Sequence, residues 1–284
     1  MDTKMLVVGG TGLAGRAVTR RLVADGVHVT TLSRGGRTDG DGLPPSVSVV
    51  AGDVEDEATV EAVMKGCSGV HLSLDGGADP DLERRGAELV SRVAARQGVA
   101  RITVLSGASV SEASASYAGV AAKLAAEKAV VTSGVPHAVF RSSFLMESLP
   151  RYLRGNRASA LGKQPYPWHW VAADDLAAMV ARAHTGISAT GTFVVLGPER
   201  FTLGEALSTY CAVVHPEAKV GTLPFWMASL LARMPGADDL AAALPFARYT
   251  STASEVGDPA QANETFGRPT TRLADWCSHA ARRS

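Results

Sequence analysis

Short apolar runs alternate with segments of helical periodicity through the first half of the chain. Residues 5–8 are apolar at every position, and a glycine-rich stretch follows them directly. Apolar residues then recur every three to four positions over residues 13–25, which predicts an amphipathic helix that ends at Gly26. The same order of strand, turn and helix continues through residue 141.

This repeated pattern predicts six strands and four helices. We expect strands at residues 5–8, 27–32, 47–51, 70–74, 102–105 and 138–141, with helices at 13–25, 54–64, 81–97 and 120–132. Each strand is short and almost entirely apolar, which is typical of a parallel sheet covered by helices on both faces. The sequence therefore predicts an α/β fold with a doubly wound parallel sheet of the Rossmann type.

The chain changes character after residue 145, where prolines divide it into shorter pieces. We predict one more strand at 192–196 and helices near 174–183 and 203–214. The expected organisation is a sheet domain of residues 1–145, to which 166–198 return, and a smaller, mostly helical substrate lobe of residues 146–165 and 199–284. Such a lobe would close over the carboxyl ends of the strands, where open α/β sheets bind their ligands.

Composition and charge exclude several classes of partner. Lys and Arg number 28 and Asp and Glu number 28, so the formal net charge is zero, and we expect neither nucleic acid nor a membrane as a partner. The longest strongly apolar stretch is far shorter than the roughly 20 residues of a spanning helix, and no signal peptide pattern is present. Three widely separated cysteines predict neither a disulfide nor a metal site. We expect a soluble, cytoplasmic protein.

The glycine-rich stretch after the first predicted strand carries the strongest chemical signal. Its glycines follow a G-x-x-G-x-x-G spacing between a strand and a helix. Bare backbone there lets a pyrophosphate approach, and the helix N-terminus offers unpaired N–H groups with partial positive charge. A glycine-rich turn without a ligand is the alternative. We predict that the stretch binds a dinucleotide through Gly9, Thr11, Gly12, Leu13 and Gly15.

The residues after the second predicted strand indicate which dinucleotide is bound. An acidic residue there would hydrogen-bond the ribose 2′-hydroxyl of NAD, whereas this chain has Ser33 and Arg34, with Arg37 close behind. A guanidinium beside a hydroxyl suits a 2′-phosphate, so the sequence favours NADP as the cofactor, although a solvated loop arginine is the alternative. After the third strand, Asp53 and Val54 follow a glycine. The Asp53 carboxylate is expected to accept from the adenine amino group, to cap the next helix, or both.

Further short motifs continue along most of the chain. They are G-G-T-G-L-A-G-R at 9–16, Ser33-Arg34, Gly52-Asp53, K-L-A-A-E at 123–127, S-G-V-P at 133–136, Phe140-Arg141, Asp174-Asp175 and Gly197-Pro198-Glu199. Together they resemble the NmrA-like branch of the atypical short-chain dehydrogenase/reductase superfamily. The resemblance implies either an NADPH-using reductase of quinones, enones and aromatic compounds, or a dinucleotide-sensing regulator with little or no turnover.

The resemblance also implies a lysine, here Lys123, that binds the nicotinamide ribose or assists proton transfer. Ordinary short-chain dehydrogenases place a tyrosine four residues before it, whereas Tyr117 precedes Lys123 by six. On one continuous helix these two side chains would lie roughly 120° apart, so they can pair only if the helix begins between them. Glu127, one turn further on, is expected to hold Lys123 through an i,i+4 ion pair, and a solvated surface pair is the alternative.

Two further features bear on the substrate. Ser106 ends the fifth predicted strand, where its hydroxyl either hydrogen-bonds a carbonyl substrate or satisfies the turn backbone. The aromatic segment at 166–170 would wall a pocket for a flat substrate or plug the space between the lobes. The apolar run at 225–227 indicates a buried helix or a contact between the protomers of a homodimer.

The leading hypothesis is an NADPH-dependent oxidoreductase that transfers hydride to a small carbonyl, enone or quinone-type compound. A non-catalytic regulator that senses NADP(H) is the alternative. A nucleotide-sugar epimerase or dehydratase is disfavoured, because the Tyr-x-x-x-Lys pair is missing.

Overall fold

The computed structural model describes residues 3–36, 42–77 and 79–282, which form thirteen strands and ten α-helices. The strands are β1 (Lys4–Val8), β2 (His28–Ser33), β3 (Ser48–Ala51), β4 (Gly69–Leu72), β5 (Arg101–Gly107), β6 (His137–Ser142), β7 (Phe144–Leu145), β8 (Leu153–Arg154), β9 (Arg157–Leu161), β10 (Trp168–Val171), β11 (Gly191–Val195), β12 (Arg200–Phe201) and β13 (Lys219–Leu223). The helices are α1 (Leu13–Ala24), α2 (Glu57–Met64), α3 (Leu82–Gln97), α4 (Ala118–Thr132), α5 (Ala173–Thr185), α6 (Leu203–Val214), α7 (Phe225–Leu231), α8 (Asp238–Thr250), α9 (Ala260–Phe266) and α10 (Leu273–Ala281).

The main sheet has seven strands in the order β3-β2-β1-β4-β5-β6-β11, and every pairing in it is parallel. This arrangement confirms the predicted α/β fold with its doubly wound sheet. The chain moves outward from β1 to β3 and then crosses over to β4 on the other side of β1. A crevice therefore opens at the carboxyl ends of β1 and β4, where this topology places a ligand.

Apolar residues fill both faces of the main sheet because successive side chains of each strand point in opposite directions. In β1, Leu6 and Val8 face α2, α3 and α4, while Met5 and Val7 face α1, α5 and α9. Both faces are fully packed, which explains why the strands are apolar at nearly every position.

A third apolar core, in the C-terminal half of the chain, includes Trp170 and Leu207. Two small sheets, β7-β10-β12 and β8-β9-β13, accompany its helices. The strands of these sheets are two to five residues long, and their hydrophobic pattern in the sequence is too brief to predict them. In the part of the chain that the structure describes, no helix has the length and apolar character needed to cross a membrane.

The predicted start of one helix is wrong. Helix α2 begins at Glu57 rather than residue 54, because Asp56 accepts a hydrogen bond from the Ala58 backbone at 3.2 Å and caps the helix. The run at 225–227 begins a helix, and Trp226 is 69% exposed, so the helix is not buried, while the alternative of a contact between protomers remains a prediction. Helix α7 is only two turns long, and Ala228 is its one fully buried residue.

Candidate functional site

The turn between β1 and α1 is closed by glycines that leave no room for a side chain. Gly9 has φ +77°, and a Cβ atom there would overlap the carbonyl oxygen of Ser73, just after β4. A Cβ atom on Gly15 would overlap the backbone of Gly9 in the same way. These two glycines therefore let α1 pack directly against the ends of β1 and β4.

Gly12 differs from its neighbours because its outer side is open. A Cβ atom there would approach only the Gly9 carbonyl oxygen, at 3.2 Å. Gly12 is exposed and forms the N-cap of α1, where no side chain caps the helix and its first turn carries no acidic residue. The N–H groups and positive end of α1 are thus presented to the crevice, as a pyrophosphate requires.

The end of β2 lies next to this turn. The hydroxyls of Thr11 and Ser33 are 3.4 Å apart, which links the glycine loop to the loop where Arg34 is exposed. Arg34 forms no hydrogen bond or ion pair with another described residue. Arg37 lies outside the described residues. The predicted cofactor residues Gly9, Thr11, Gly12, Leu13, Gly15, Ser33 and Arg34 thus surround one end of the crevice.

Arg16 is a residue at this end that the sequence reasoning missed. Its Nη2 donates to the Thr11 carbonyl at 2.9 Å, while its Nε is buried without a hydrogen-bond partner in the described chain. The side chain also runs close to Gly42, beyond β2. The sequence could have indicated Arg16, because residues in the first turn of a helix direct their side chains back toward its N-terminus.

Asp53 lies beyond β3 and is exposed. Its Oδ1 accepts from the Glu55 backbone at 3.0 Å, so it forms a turn before α2, and the capping role belongs to Asp56. Val54 is buried against α3 near Gly86. A contact of Asp53 or Val54 with adenine remains a prediction.

Lys123 has a different partner from the one predicted. Its Nζ donates to the Glu83 carboxylate on α3 at 2.7 Å. Glu127 instead accepts from Arg141 Nε at 2.9 Å and Nη2 at 2.6 Å. Because Glu127 faces the sheet and is buried, the planar guanidinium of Arg141 at the end of β6 binds it through two parallel hydrogen bonds. The predicted pair of Lys123 and Glu127 is therefore wrong.

Tyr117 is the N-cap of α4, with extended backbone at φ −85° and ψ 121°. The helix thus begins between Tyr117 and Lys123, and the helical period does not fix their relative direction. The ring of Tyr117 stacks on Tyr249 of α8 with centroids 4.7 Å apart. Burial, followed by the negative charge of Glu83, raises the pKa of the Tyr117 phenol. An ammonium beside a tyrosine would instead lower the pKa of the phenol.

Ser106 lies in β5 and is buried, and its hydroxyl has no hydrogen-bond partner among the described residues. The expectation that it satisfies turn backbone is therefore wrong. A buried hydroxyl without a partner carries a free-energy cost that an approaching polar group would relieve. The Ser106 hydroxyl has almost no accessible surface, and its role toward a carbonyl oxygen remains a prediction.

Aromatic rings from three parts of the chain meet around Phe144, which lies just beyond the carboxyl end of β6. The ring of Phe144 lies 5.0 Å from Trp168, 5.4 Å from Trp170 and 5.9 Å from Phe246 of α8. Trp168 and Trp170 are buried, whereas Phe246 is 42% exposed. The burial of the two tryptophans favours a packing role for segment 166–170, and a pocket wall for a flat substrate remains a prediction.

A buried carboxylate that the sequence reasoning missed ties the C-terminal part across the sheet. Glu255 accepts from the His169 backbone N–H and from its Nδ1, each at 2.7 Å, and also from the Ser143 hydroxyl. The next residue, Val256, donates its N–H to the Ala108 carbonyl at 2.7 Å. This segment therefore crosses the carboxyl ends of β5 and β6.

A cleft of about 540 Å³ lies beside His169 and is lined by Gly197, Asn263 and Arg268 among others. None of its lining residues belongs to the glycine loop, so it is separate from the crevice described above. Within the described ranges, no three His, Cys, Asp or Glu side chains are grouped closely enough to hold a metal ion.

Known proteins resemble this chain in sequence and in fold. A family model described as NAD(P)H-binding matches residues 9–185. The (4-alkanoyl-5-oxo-2,5-dihydrofuran-3-yl)methyl phosphate reductase of Streptomyces griseus subsp. griseus is 29% identical over an alignment of 283 residues that covers 98% of this chain and 98% of the relative.

Two solved structures have the same fold. The Bordetella bronchiseptica enzyme WbmH in complex with NAD⁺ gives a TM-score of 0.72 at 17% identity over 99% of both chains. An NADPH-dependent quinone oxidoreductase from Escherichia coli gives a TM-score of 0.68 at 20% identity, over 97% of this chain and 99% of that one.

Proposed function

We propose that this chain, which belongs to the NAD(P)H-binding family, is an NADPH-dependent reductase of a small conjugated carbonyl compound. The observation that carries the proposal is the group formed by Tyr117 and Lys123 of α4 with Glu83 of α3, because both helices begin just beyond the carboxyl ends of β5 and β4. This edge of the sheet adjoins the crevice that begins at the glycine loop, so an extended dinucleotide would reach it with its nicotinamide end.

The choice of NADPH over NADH rests on two guanidinium groups. Arg34 is exposed beside Ser33, and Arg16 lies on the inner side of the same loop with its Nε unpartnered. No carboxylate occupies the position after β2 that would select a 2′-hydroxyl. Arg34 and Arg16 would bind the 2′-phosphate from two sides through charge-assisted hydrogen bonds.

Reduction of a conjugated carbonyl adds one hydride and one proton. When bound, the nicotinamide supplies the hydride. Tyr117 holds the proton: its phenol has a raised pKa and remains protonated at neutral pH, so it can donate to the carbonyl oxygen as negative charge develops there. Water reprotonates Tyr117 after release of the product.

The substrate class follows from the aromatic side chains and from the relative in Streptomyces. Phe144, Phe246 and Tyr249 line the approach to Tyr117 with ring faces and edges, which suit a flat unsaturated ring. The substrate in the relative's name contains an oxo-dihydrofuran ring, an unsaturated lactone. A cyclic enone, lactone or quinone is therefore the proposed substrate class.

The test is NADPH oxidation, followed by absorbance, with a panel of quinones, enones, unsaturated lactones and saturated ketones. We expect turnover with a conjugated carbonyl and a loss of roughly 100-fold or more in kcat for Tyr117→Phe, with NADPH affinity unchanged. Tyr210→Phe, in the core of the lobe, is the matched control and should keep full activity. A wild-type protein that binds NADPH but oxidises it with no member of the panel would favour the sensor.

A further inference from the structure

The ion pair between Glu83 and Lys123 differs from the other ion pairs of α3. The Glu83 side chain is 12% exposed, whereas the carboxylates that pair with Arg84, Arg85, Arg92 and Arg96 of this helix are 38–56% exposed. A surface pair contributes little to stability, but a buried carboxylate needs its partner, because it has lost its hydration. The Glu83 charge is thus fixed to the Lys123 ammonium.

Several charged or titratable groups converge on the Tyr117 phenol at this point. Glu83 approaches from the first turn of α3, Asp75 from the loop after β4, and Tyr249 from α8. Lys123 lies on the same helix as Tyr117 but donates to Glu83. The phenol therefore lies near two carboxylates, and the Lys123 ammonium is bound to one of them.

We propose that Glu83 is a positioning residue, whose carboxylate binds the Lys123 ammonium at the nicotinamide end of the cofactor site, so that the ammonium is paired with Glu83 rather than with the Tyr117 hydroxyl. The inference rests on the function proposed above. The ion pair with Glu83 gives separate roles to a lysine and a tyrosine that act as a pair in ordinary short-chain dehydrogenases. Lys123 is left to bind the cofactor, and Tyr117 is left as a protonated donor to the substrate.

The test measures the titration of Tyr117 without any substrate. The tyrosinate absorbance of each protein is recorded against pH, and the matching curve of a variant that also carries Tyr117→Phe is subtracted. In Glu83→Gln a negative charge is lost and the ammonium is released, so Tyr117 should titrate at a pH lower by roughly one unit. In Lys123→Met the Glu83 carboxylate loses the ammonium that neutralises it, so Tyr117 should titrate at a higher pH.

Three further variants sharpen the test. Glu83→Asp keeps the charge and should titrate close to the wild type, while Glu88→Gln removes an exposed carboxylate of α3 and should change nothing. The alkaline limb of the pH profile of kcat/KM should move in the same directions as the phenol. A general disturbance of structure would not shift Glu83→Gln and Lys123→Met in opposite directions.

The proposal is overturned if folded Glu83→Gln titrates like the wild type, or if both variants shift in the same direction. Should Glu83→Gln not fold, Lys123→Met and Glu83→Asp decide the matter by the same criteria. Because the titration needs no turnover, failure of the proposed function would be recognised separately, as a lack of NADPH oxidation.

Discussion

At the scale of single residues, Gly12 decides whether a dinucleotide can reach the helix. The side chain of a Gly12→Val variant would fill the space through which a pyrophosphate contacts the first turn of α1. We expect NADP binding to be lost in calorimetry while the fold is retained. Gly221→Val, at an exposed strand position with open space around it, is the control. A folded Gly12→Val variant that binds NADP like the parent would show that the cofactor lies elsewhere.

Arg34 and Arg16 should determine the preference between the two nicotinamide dinucleotides. A hydrogen bond to a charged phosphate contributes about 1.5–3 kcal/mol, which corresponds to roughly 10- to 100-fold in affinity. Arg34→Asp should reverse the preference, and Arg16→Gln should weaken NADP binding without changing NAD binding. Dissociation constants for both dinucleotides test this directly. If the wild type binds NAD at least as tightly as NADP, the assignment of the 2′-phosphate site is wrong.

At the scale of elements, the hydrogen bonds of Glu255 hold the segment before α9 across the carboxyl ends of β5 and β6. In Glu255→Gln the carboxylate loses one acceptor oxygen, so a donor among Ser143 and His169 is left unpaired. The free energy of unfolding should fall by about 1–3 kcal/mol, the cost of an unsatisfied buried group. Amide exchange at Val256 should accelerate, whereas Glu264→Gln on the exposed side of α9 should leave both quantities unchanged. If the amide of Val256 exchanges equally slowly in the two variants, Glu255 does not hold this segment in place.

The elements also show how far the sequence alone could be interpreted. The glycine loop, Ser33 and Arg34 were predictable because their roles depend on a strand, a turn and a helix adjacent in the chain. Glu83 lies 40 residues from Lys123, and Tyr249 and Glu255 lie still further from their partners. The local periodicity of hydrophobic residues does not indicate contacts between residues so far apart in the chain. The pair of Lys123 and Glu127 has correct helical spacing, but the tertiary contact of Glu127 with Arg141 prevails.

At the scale of the whole molecule, the buried His71 and the half-buried His184 link the sheet to α5. Thr103 lies between them, 2.8 Å from His71 Nδ1 and 2.9 Å from His184 Nε2. Burial lowers the pKa of each imidazole to about 3. A pKa lowered by folding contributes stability that is present above about pH 6.5 and is lost as pH falls toward 3.

The free energy of unfolding should therefore decrease below pH 6.5, by up to about 1.4 kcal/mol per pH unit for each histidine. Burial raises the pKa of Glu147, which offsets part of this decrease at lower pH. Urea unfolding at pH 7.5 and 5.5 measures the difference, and His71→Asn should show a smaller one. A wild type that is equally stable at both values would contradict the buried neutral state of these histidines.

The division into a sheet domain of residues 1–145 and 166–198 and a substrate lobe remains a prediction at this scale. The proposed function depends on it, because α8 of the lobe brings Phe246 and Tyr249 over Tyr117 of the sheet domain. Reduction would take place between the two parts.

The most direct measurement of the central claim is the transfer of deuterium from NADPH labelled at C4 of the nicotinamide. The wild type is incubated with an unsaturated lactone or enone, and the product is analysed by mass spectrometry and NMR. We expect one deuterium on carbon of the reduced product, with the transfer rate lowered roughly 100-fold or more in Tyr117→Phe. A product without deuterium, or no reduced product despite bound NADPH, would contradict the account.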